Sequence, residues 1–399
     1  MKILIAEDER ITRRNLQRQI ESWGHEVVAA EDGAEAWDRF REQSFEIVVT
    51  DWEMPRLDGR ALIERIRQSE KTSYVYLIML TGRSEKSDLV AGMEAGADDF
   101  LAKPFDKNEL RVRLNAGERI IRLERTLAAR NEELSKANER MTRDLDAAAK
   151  AQRDLLPKEL PDSLGAKFAW LYEPCDELGG DILNVLPLDD RYIGMYLLDV
   201  SGHGVPAALL SVTLNRVLTT RDPSASILIS QRPGENRIDV VPPQRVALHL
   251  NRQFPMDSQS GRYFTIAYAV LDTQTRRLRY VLAGQPAPIL ARKGQPPEQL
   301  TGSGFPIGLV DDADFDEYVL QMEPGDRLYF YSDGITEARN EPGDMLQPEG
   351  LIRFIEQSRE QPIGDGIQKI VKAVTQWCHP VAFDDDLSLL VLEVPDIET

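Results

Sequence analysis

The sequence has little from which to build a thiolate metal site or a disulfide framework. Of its 399 residues only two are cysteines, Cys175 and Cys378, far apart and without metal-site spacing, which suits a reducing compartment. Long apolar runs are also missing: none approaches the ~20 residues a helix needs to cross a bilayer. The opening MKILIAEDE runs straight from a short apolar segment into acids, unlike a signal peptide. A cytoplasmic location without a membrane partner is therefore expected. Positive charge is in deficit, with 48 Lys and Arg against 67 Asp and Glu and a formal net charge of -19. That balance argues against a broad grip on nucleic acid or an anionic membrane, and no basic recognition helix is present. Neither a GxxxxGK[ST] loop nor a dinucleotide fingerprint occurs, which disfavours a cyclase or other nucleotide-binding enzyme.

The chain is too long for one ordinary core, so two domains are expected. Short apolar segments at 2–6, 26–30, 46–50, 75–80 and 98–102 alternate with helical patterns such as ITRRNLQRQIESW and GRALIERIRQ. This alternation predicts a parallel sheet covered by helices, ending near residue 118. From about 106 to 156 there is no proline and a single glycine, Gly117. Ile120, Leu127, Leu134, Met141, Ala148 and Leu155 fall seven apart. The second column is weaker, at Leu123, Arg130, Ala137, Asp144 and Ala151. A helix of that extent reaches on the order of 75 Å and cannot bury itself alone, which points to a coiled coil in a parallel homodimer, the plain alternative being a single charged helix packed along one domain. Pro157 and Pro161 end it. Beyond it, FAWLYEP, DILNVLPLDDRYIGMYLLDV, YFTIAYAVLD, RLRYVLAG, RLYFYSDG and LSLLVLEV read as strands. PAALLSVTLNRVLTT and EGLIRFIEQSRE read as helices, and 221–244 as a loop. The domain frame is thus 1–118, a linker helix over 119–156, and 157–395.

In the first domain Glu7 and Asp8 follow the first strand, and Asp51 ends the third. The carboxyl ends of a parallel sheet line one crevice, where three acids favour a hard cation such as Mg²⁺. Thr81 follows the fourth strand and Lys103 the fifth. Their hydroxyl and ammonium suit a phosphoryl group on Asp51. A helix cap explains any one of these residues, but five placements at successive strand ends are not explained that way. ILIAED, IVVTDWEMPRLDG, IMLTG and AGADDFLAKPF together resemble the response-regulator receiver family over residues 1–118. The resemblance implies a flavodoxin-like doubly wound fold with Asp51 as phosphoacceptor. It implies Mg²⁺ bound by Glu7, Asp8, Asp51 and the carbonyl of Glu53, phosphoryl contacts from Thr81 and Lys103, and Phe100 as an aromatic switch. It also implies a cognate histidine kinase or phosphotransfer protein.

The second domain offers Asp181 in GGD, Asp199 in DVSGHG, Asp333 in SDG and Asp385 in DDDLS. Carboxylates with neighbouring glycines favour Mg²⁺ or Mn²⁺, and His203 has no His or Cys partner for zinc. Each aspartate alone is an ordinary turn residue. AKAQRDLLP, EPCDELGGD, LLDVSGHGVPAALL, SGFPIGL, GDRLYFYSDGITEARN and DDLSLLVLEV resemble the SpoIIE-like branch of PP2C-type serine/threonine phosphatases across 149–394. The resemblance implies an α/β sandwich with two central antiparallel sheets and two Mn²⁺ or Mg²⁺ ions. Asp199 would bridge the ions, helped by the carbonyl of Val200, Asp333, Asp385 and Asp181. Asp385 fits the spacing to Ser388 best, with Asp386 possible. His203 is the side-chain candidate for proton transfer to the leaving oxygen, with turn packing as the plain alternative. Gln285 stands where many relatives have His, and Asn184 where they have Asp.

The expected protein is a response regulator whose Asp51 phosphorylation controls dephosphorylation of a partner, by family analogy a STAS-domain anti-sigma-factor antagonist. The alternative is a catalytically weak adaptor that binds its partner under phosphorylation control.

Overall fold

A computed structural model describes residues 1–69, 73–82, 92–158, 160, 165–220, 226–231, 238–256 and 261–395. The chain divides into two compact units, Met1–Arg140 and Met141–Thr399.

In the first unit the strands are β1 (Lys2–Ala6), β2 (Glu26–Ala30), β3 (Ile47–Asp51), β4 (Tyr76–Thr81) and β5 (Asp99–Ala102). They alternate with helices α1 (Arg10–Ser22), α2 (Gly33–Glu42) and α3 (Gly59–Arg67), and α4 (Lys107–Arg153) follows β5. All strand pairs are parallel, in the order β2-β1-β3-β4-β5. Alternation along a strand sends successive side chains to opposite faces. Leu4, Val48, Leu77 and Met79 accordingly pack with Phe40, Leu62 and Ile66 of α2 and α3. Ile3, Ile5, Val49 and Ile78 pack with Leu16 and Ile20 of α1 and Leu110 and Leu114 of α4. The sheet is therefore covered on both faces, and its order reverses between β1 and β3 to open the crevice at the strands' carboxyl ends. Helix starts are set locally: Asp32 accepts hydrogen bonds from the amides of Ala34 and Glu35, and Asp58 from that of Ala61.

Helix α4 is continuous over 47 residues. Of the sevenfold column, Leu127, Leu134 and Met141 are exposed, as is Leu123 of the second column, whereas Ile120 packs on the core of the first unit and Leu155 on that of the second.

The second unit has two five-stranded antiparallel sheets. One is built from β7 (Ile182–Pro187), β8 (Tyr192–Val200), β11 (Phe264–Asp272), β12 (Arg277–Ala283) and β15 (Glu317–Gln321), in the order β15-β12-β11-β8-β7. The other contains β6 (Lys167–Glu173), β13 (Ile289–Ala291), β14 (Glu298–Gln299), β16 (Arg327–Tyr331) and β17 (Leu387–Glu393), in the order β14-β13-β16-β17-β6. Leu328 and Phe330 of β16 with Leu390 and Leu392 of β17 face a core shared with Ile182, Leu198 and Ile266 of the first sheet. Their neighbours Tyr329, Tyr331, Leu389 and Val391 point the other way, into α8 (Gln347–Ser358) and α9 (Ile363–Cys378). Helices α5 (Val205–Val217) and α6 (Pro243–Gln253) add Leu214, Val246 and Leu250 to the first core. The layers follow from strand parity alone.

The stretch 221–244, expected as a loop, departs from that reading among its described residues. Ile229–Gln231 (β9) and Ile238–Val240 (β10) pair antiparallel, and α6 begins at Pro243. Prolines mask a helix start, because they fit its first turn, where no backbone N–H is needed. Among the described residues no helix is long and apolar enough to cross a membrane.

Leu389 is fully buried between Leu171 and Tyr331 on neighbouring strands. Leu389→Ala should cost about 3 kcal/mol, read as a lower urea midpoint for unfolding of the second unit; a shift below measurement error would contradict the layer assignment.

Candidate functional sites

At the carboxyl edge of the first sheet, Glu7, Asp8 and Asp51 bring carboxylate oxygens within 4.8 Å of one another. Glu7 is buried and Asp8 exposed. The Lys103 ammonium bridges the buried pair, donating to Glu7 Oε2 and Asp51 Oδ2 at 2.7 Å each. Burial pushes the Glu7 carboxyl up, with Asp51 repulsion adding to it and Lys103 opposing it. Burial also works against the Lys103 charge, but its hydrogen bonds to Asp51 and Glu7 outweigh that and raise its pKa. Arg13 of α1 donates to the carbonyls of Glu7 and Asp8, fixing the turn after β1. The Trp52 amide donates to Asp51 Oδ1 at 2.8 Å. A cavity of about 330 Å³ lined by Asp51, Trp52, Glu53, Thr81, Gly82 and Lys103 opens over this cluster. Phe100 lies on β5 against Gly92, where a Cβ would come within 2.6 Å of its ring and 2.9 Å of Trp52.

Gly59 shows how closely the backbone approaches here. A Cβ on it would lie 2.0 Å from the Asp51 carbonyl oxygen, so only glycine lets α3 start against the end of β3.

In the second unit Asp199 closes β8, Asp333 opens the short helix α7 (Asp333–Glu337), and Asp385 precedes β17. Asp181, immediately before β7, is almost wholly buried, and its Oδ2 has no hydrogen-bond partner. Burial, then repulsion by Asp199 and Asp386, pushes the Asp181 carboxyl well above the usual carboxylate range. The Asp199 carboxyl is pushed up to about 7 by burial and then by Asp333 and Asp385. Asp333 is raised by burial and Glu337, and Asp385 by burial with Asp333 and Asp386 adding to it. The ion pairs described in this unit all engage other acids. A buried carboxylate oxygen without a partner, among acids that raise one another, is a donor set that a hard divalent cation would satisfy.

The three consecutive aspartates separate by geometry. Asp386 is buried and accepts from the backbone amides of Cys175 and Asp181 at 2.9 and 3.1 Å. Asp385 is exposed and interacts with Asp199 and Asp333. Ser332 ties the two turns together: its Oγ donates to the Asp386 carbonyl and accepts from the Ser388 amide, both at 3.0 Å. Glycine permits the crowding. A Cβ on Gly180 would lie 2.7 Å from the Val200 carbonyl oxygen and 3.4 Å from Asp199 Oδ1. His203 is exposed, with Nδ1 2.7 Å from Asp176 Oδ2.

Gln285 and Asn184 each bond another polar side chain. Gln285 donates through Nε2 to Thr265 Oγ1, and Thr265 sits opposite Asp199 in the sheet. The Asn184 amide faces Asn215, which also accepts from Tyr196. Gln152, in the last turn of α4, is a neighbour that residue type alone could not reveal. It is buried and donates to the Gly179 carbonyl at 2.7 Å, two residues before Asp181. Its only sequence signal was its place in AKAQRDLLP.

The fold and acid placement define a receiver-type α/β unit followed by a PP2C-type sandwich. The family model for stage II sporulation protein E (SpoIIE) matches residues 189–395, and that for the response regulator receiver domain matches 3–115. The chain thus belongs to the SpoIIE family and carries a receiver domain. Over 115 residues it is 41% identical to the "Probable transcriptional regulator ycf27" of Porphyridium aerugineum, covering 29% of this chain and 47% of that protein. Over 116 residues it is 39% identical to the "Response regulator MprA" of Mycobacterium avium, covering 29% and 50%. The match spans about half the length of these curated relatives. The solved "SiaA-PP2C domain of Pseudomonas aeruginosa" shares the fold of the second unit, at 22% identity and a TM-score of 0.53 over 64% of this chain and 98% of that one.

The raised carboxyls give a pH prediction. An acid whose folded pKa lies above its unfolded value favours the folded state at low pH, and that contribution is lost as pH rises through the folded pKa. For Asp199 the window runs from 3.8 to about 7. The melting temperature of EDTA-treated protein should fall across that window, Asp199→Asn should flatten the fall, and Mn²⁺ should raise the melting temperature most at about pH 7.5. A profile that rises with pH, or no response to Mn²⁺, would contradict the cation-site assignment.

Proposed function

We propose that the protein removes phosphate from phosphoserine or phosphothreonine in a partner protein, under the control of phosphorylation at Asp51. The observation that carries this reading is the gathering of Asp181, Asp199, Asp333 and Asp385 at one end of a PP2C-type sandwich, with Asp181 Oδ2 buried and unpartnered. Two Mn²⁺ or Mg²⁺ ions held by these acids and the Val200 carbonyl would neutralise the phosphoryl oxygens and lower the pKa of the attacking water. The chain's own residues supply the rest. Asp386 and Ser332 hold the turns that present Asp181, Asp333 and Asp385. Asp176 engages His203 Nδ1, leaving Nε2 as the atom that delivers a proton to the leaving serine oxygen.

In the receiver, Asp51 accepts the phosphoryl group from a histidine kinase or phosphotransfer protein. Glu7, Asp8, Asp51 and the Glu53 carbonyl would hold a Mg²⁺ ion, which would offset the charge on the phosphoryl oxygens. Lys103 sits where it neutralises the acceptor, and Thr81 and Lys103 then engage the phosphoryl oxygens while Phe100 responds on β5. The functional frame is a receiver over 1–118, a linker over 119–156 and a phosphatase over 157–395. The exposed stripe of Leu127, Leu134 and Met141 supports a homodimer through the linker. By family analogy the substrate is a STAS-domain anti-sigma-factor antagonist. Retention of all four acids disfavours the adaptor alternative.

Release of phosphate from a phosphoserine STAS protein with Mn²⁺ tests the reading. Asp199→Asn should lower kcat by about 10³-fold or more, and Asp51→Ala should abolish phosphoryl incorporation from a small phosphodonor and any change of rate that follows it. Wild-type protein inert towards the phosphoprotein would refute the enzyme reading; equal rates with and without the phosphodonor would remove the switch.

A further inference from the structure

Beside the acid cluster lies an apolar surface that the proposed chemistry does not use. Phe305, Leu309, Val310 and Met256 are 56%, 41%, 39% and 41% exposed. Most large apolar side chains of this unit are buried, so four exposed ones in one place need a reason. The segment that carries them is firmly held. Ile307 and Phe264 exchange backbone hydrogen bonds, the Gly284 amide donates to the Gly304 carbonyl, and that of Met256 to the Gly308 carbonyl. The buried Asn251 side chain accepts from the Gly308 amide and donates to the Val310 carbonyl. The exposure therefore belongs to a fixed surface.

That surface adjoins the site. Phe264 pairs with Val200 and Thr265 with Asp199 across the sheet, so the segment bridged to Phe264 caps the strand end that holds Asp199. Asp311, Asp312, Asp314 and Asp316 follow, all exposed. An apolar patch fringed by acids fits a partner with an apolar patch fringed by lysine or arginine. A second copy of this chain would bring like charges together, so charge favours a different protein.

We propose that the 304–310 segment with Met256 is the docking surface for the substrate protein, with Phe305 as its central contact, and that it selects phosphoserines flanked by aliphatic and basic residues. The inference rests on the phosphatase reading and adds the determinant of substrate choice: metal-held acids grip a phosphoryl group whatever chain carries it, whereas this surface reads the chain.

The test uses the full-length protein and two phosphoserine peptides, one flanked by leucine and lysine and the other by serine and glutamate. Binding is read by fluorescence anisotropy without metal, and turnover with Mn²⁺ against p-nitrophenyl phosphate as reference. Wild type should prefer the leucine–lysine peptide, and Phe305→Ser should weaken that binding about tenfold. The ratio of kcat/KM for that peptide to that for p-nitrophenyl phosphate should fall by a similar factor, through KM, with the serine–glutamate peptide unaffected. Asp312→Lys should weaken the same peptide without touching the apolar patch. Equal wild-type affinity for both peptides, or unchanged binding in Phe305→Ser, overturns the inference. A lower assembly mass for Phe305→Ser by light scattering also overturns it, assigning the patch to self-association. Discrimination in binding without turnover of any substrate would defeat the phosphatase reading and leave the docking surface supported.

Discussion

Both units depend on carboxylates forced together at the ends of strands, partly out of water. Such groups repel one another and lose hydration, so each cluster needs a positive charge to remain ionised. The two units meet that need differently. In the first, Lys103 supplies the charge from within the chain, and the Glu7–Asp51 pair is already bridged. In the second, the ion pairs described engage other acids, and burial with mutual repulsion raises the Asp181 and Asp199 carboxyls instead. The first cluster thus has a countercharge within the chain, whereas the second offers a donor set that a divalent cation would satisfy.

The crowding is held by backbone rather than by other side chains. Gly59, Gly180 and Gly334 each sit where a Cβ would strike a carbonyl oxygen, at 2.0, 2.7 and 2.3 Å. Removing that atom lets the strand ends close on one another. Asp386 shows the complementary device: a carboxylate spent on two backbone amides fixes the turn from which Asp385 extends. Adjacent identical residues thus differ: Asp386 is buried and holds two amides while adding to the cluster's repulsion, and Asp385 is exposed beside it.

The last turn of α4 reaches this frame through Gln152, whose amide holds the Gly179 carbonyl and contacts Ser211 of α5. A buried hydrogen bond in its last turn ties that end of the helix to the chain leading into Asp181. Along the middle of the helix Leu127, Leu134 and Met141 are exposed.

Much of this was determined by the sequence alone. Strand parity in segments such as RLYFY and LSLLVLEV wrote the layers, because side chains alternate across a sheet. The gathering of Glu7, Asp8, Asp51, Thr81 and Lys103 was legible because a parallel sheet sends every strand's carboxyl end to one edge. Short or weakly apolar elements such as Glu298–Gln299, Glu317–Gln321 and the β9–β10 pair were not legible, since few residues carry too little periodicity. Only tertiary structure gave Asp386 to two backbone amides while leaving Asp385 exposed, placed Gln152 beside Gly179, and paired Asn184 with Asn215 and Gln285 with Thr265. Those outcomes depend on contacts between residues far apart in the chain, which local pattern does not encode. The acids could be listed from the sequence; their burial, their mutual repulsion and the need for a cation arise only once the strands meet.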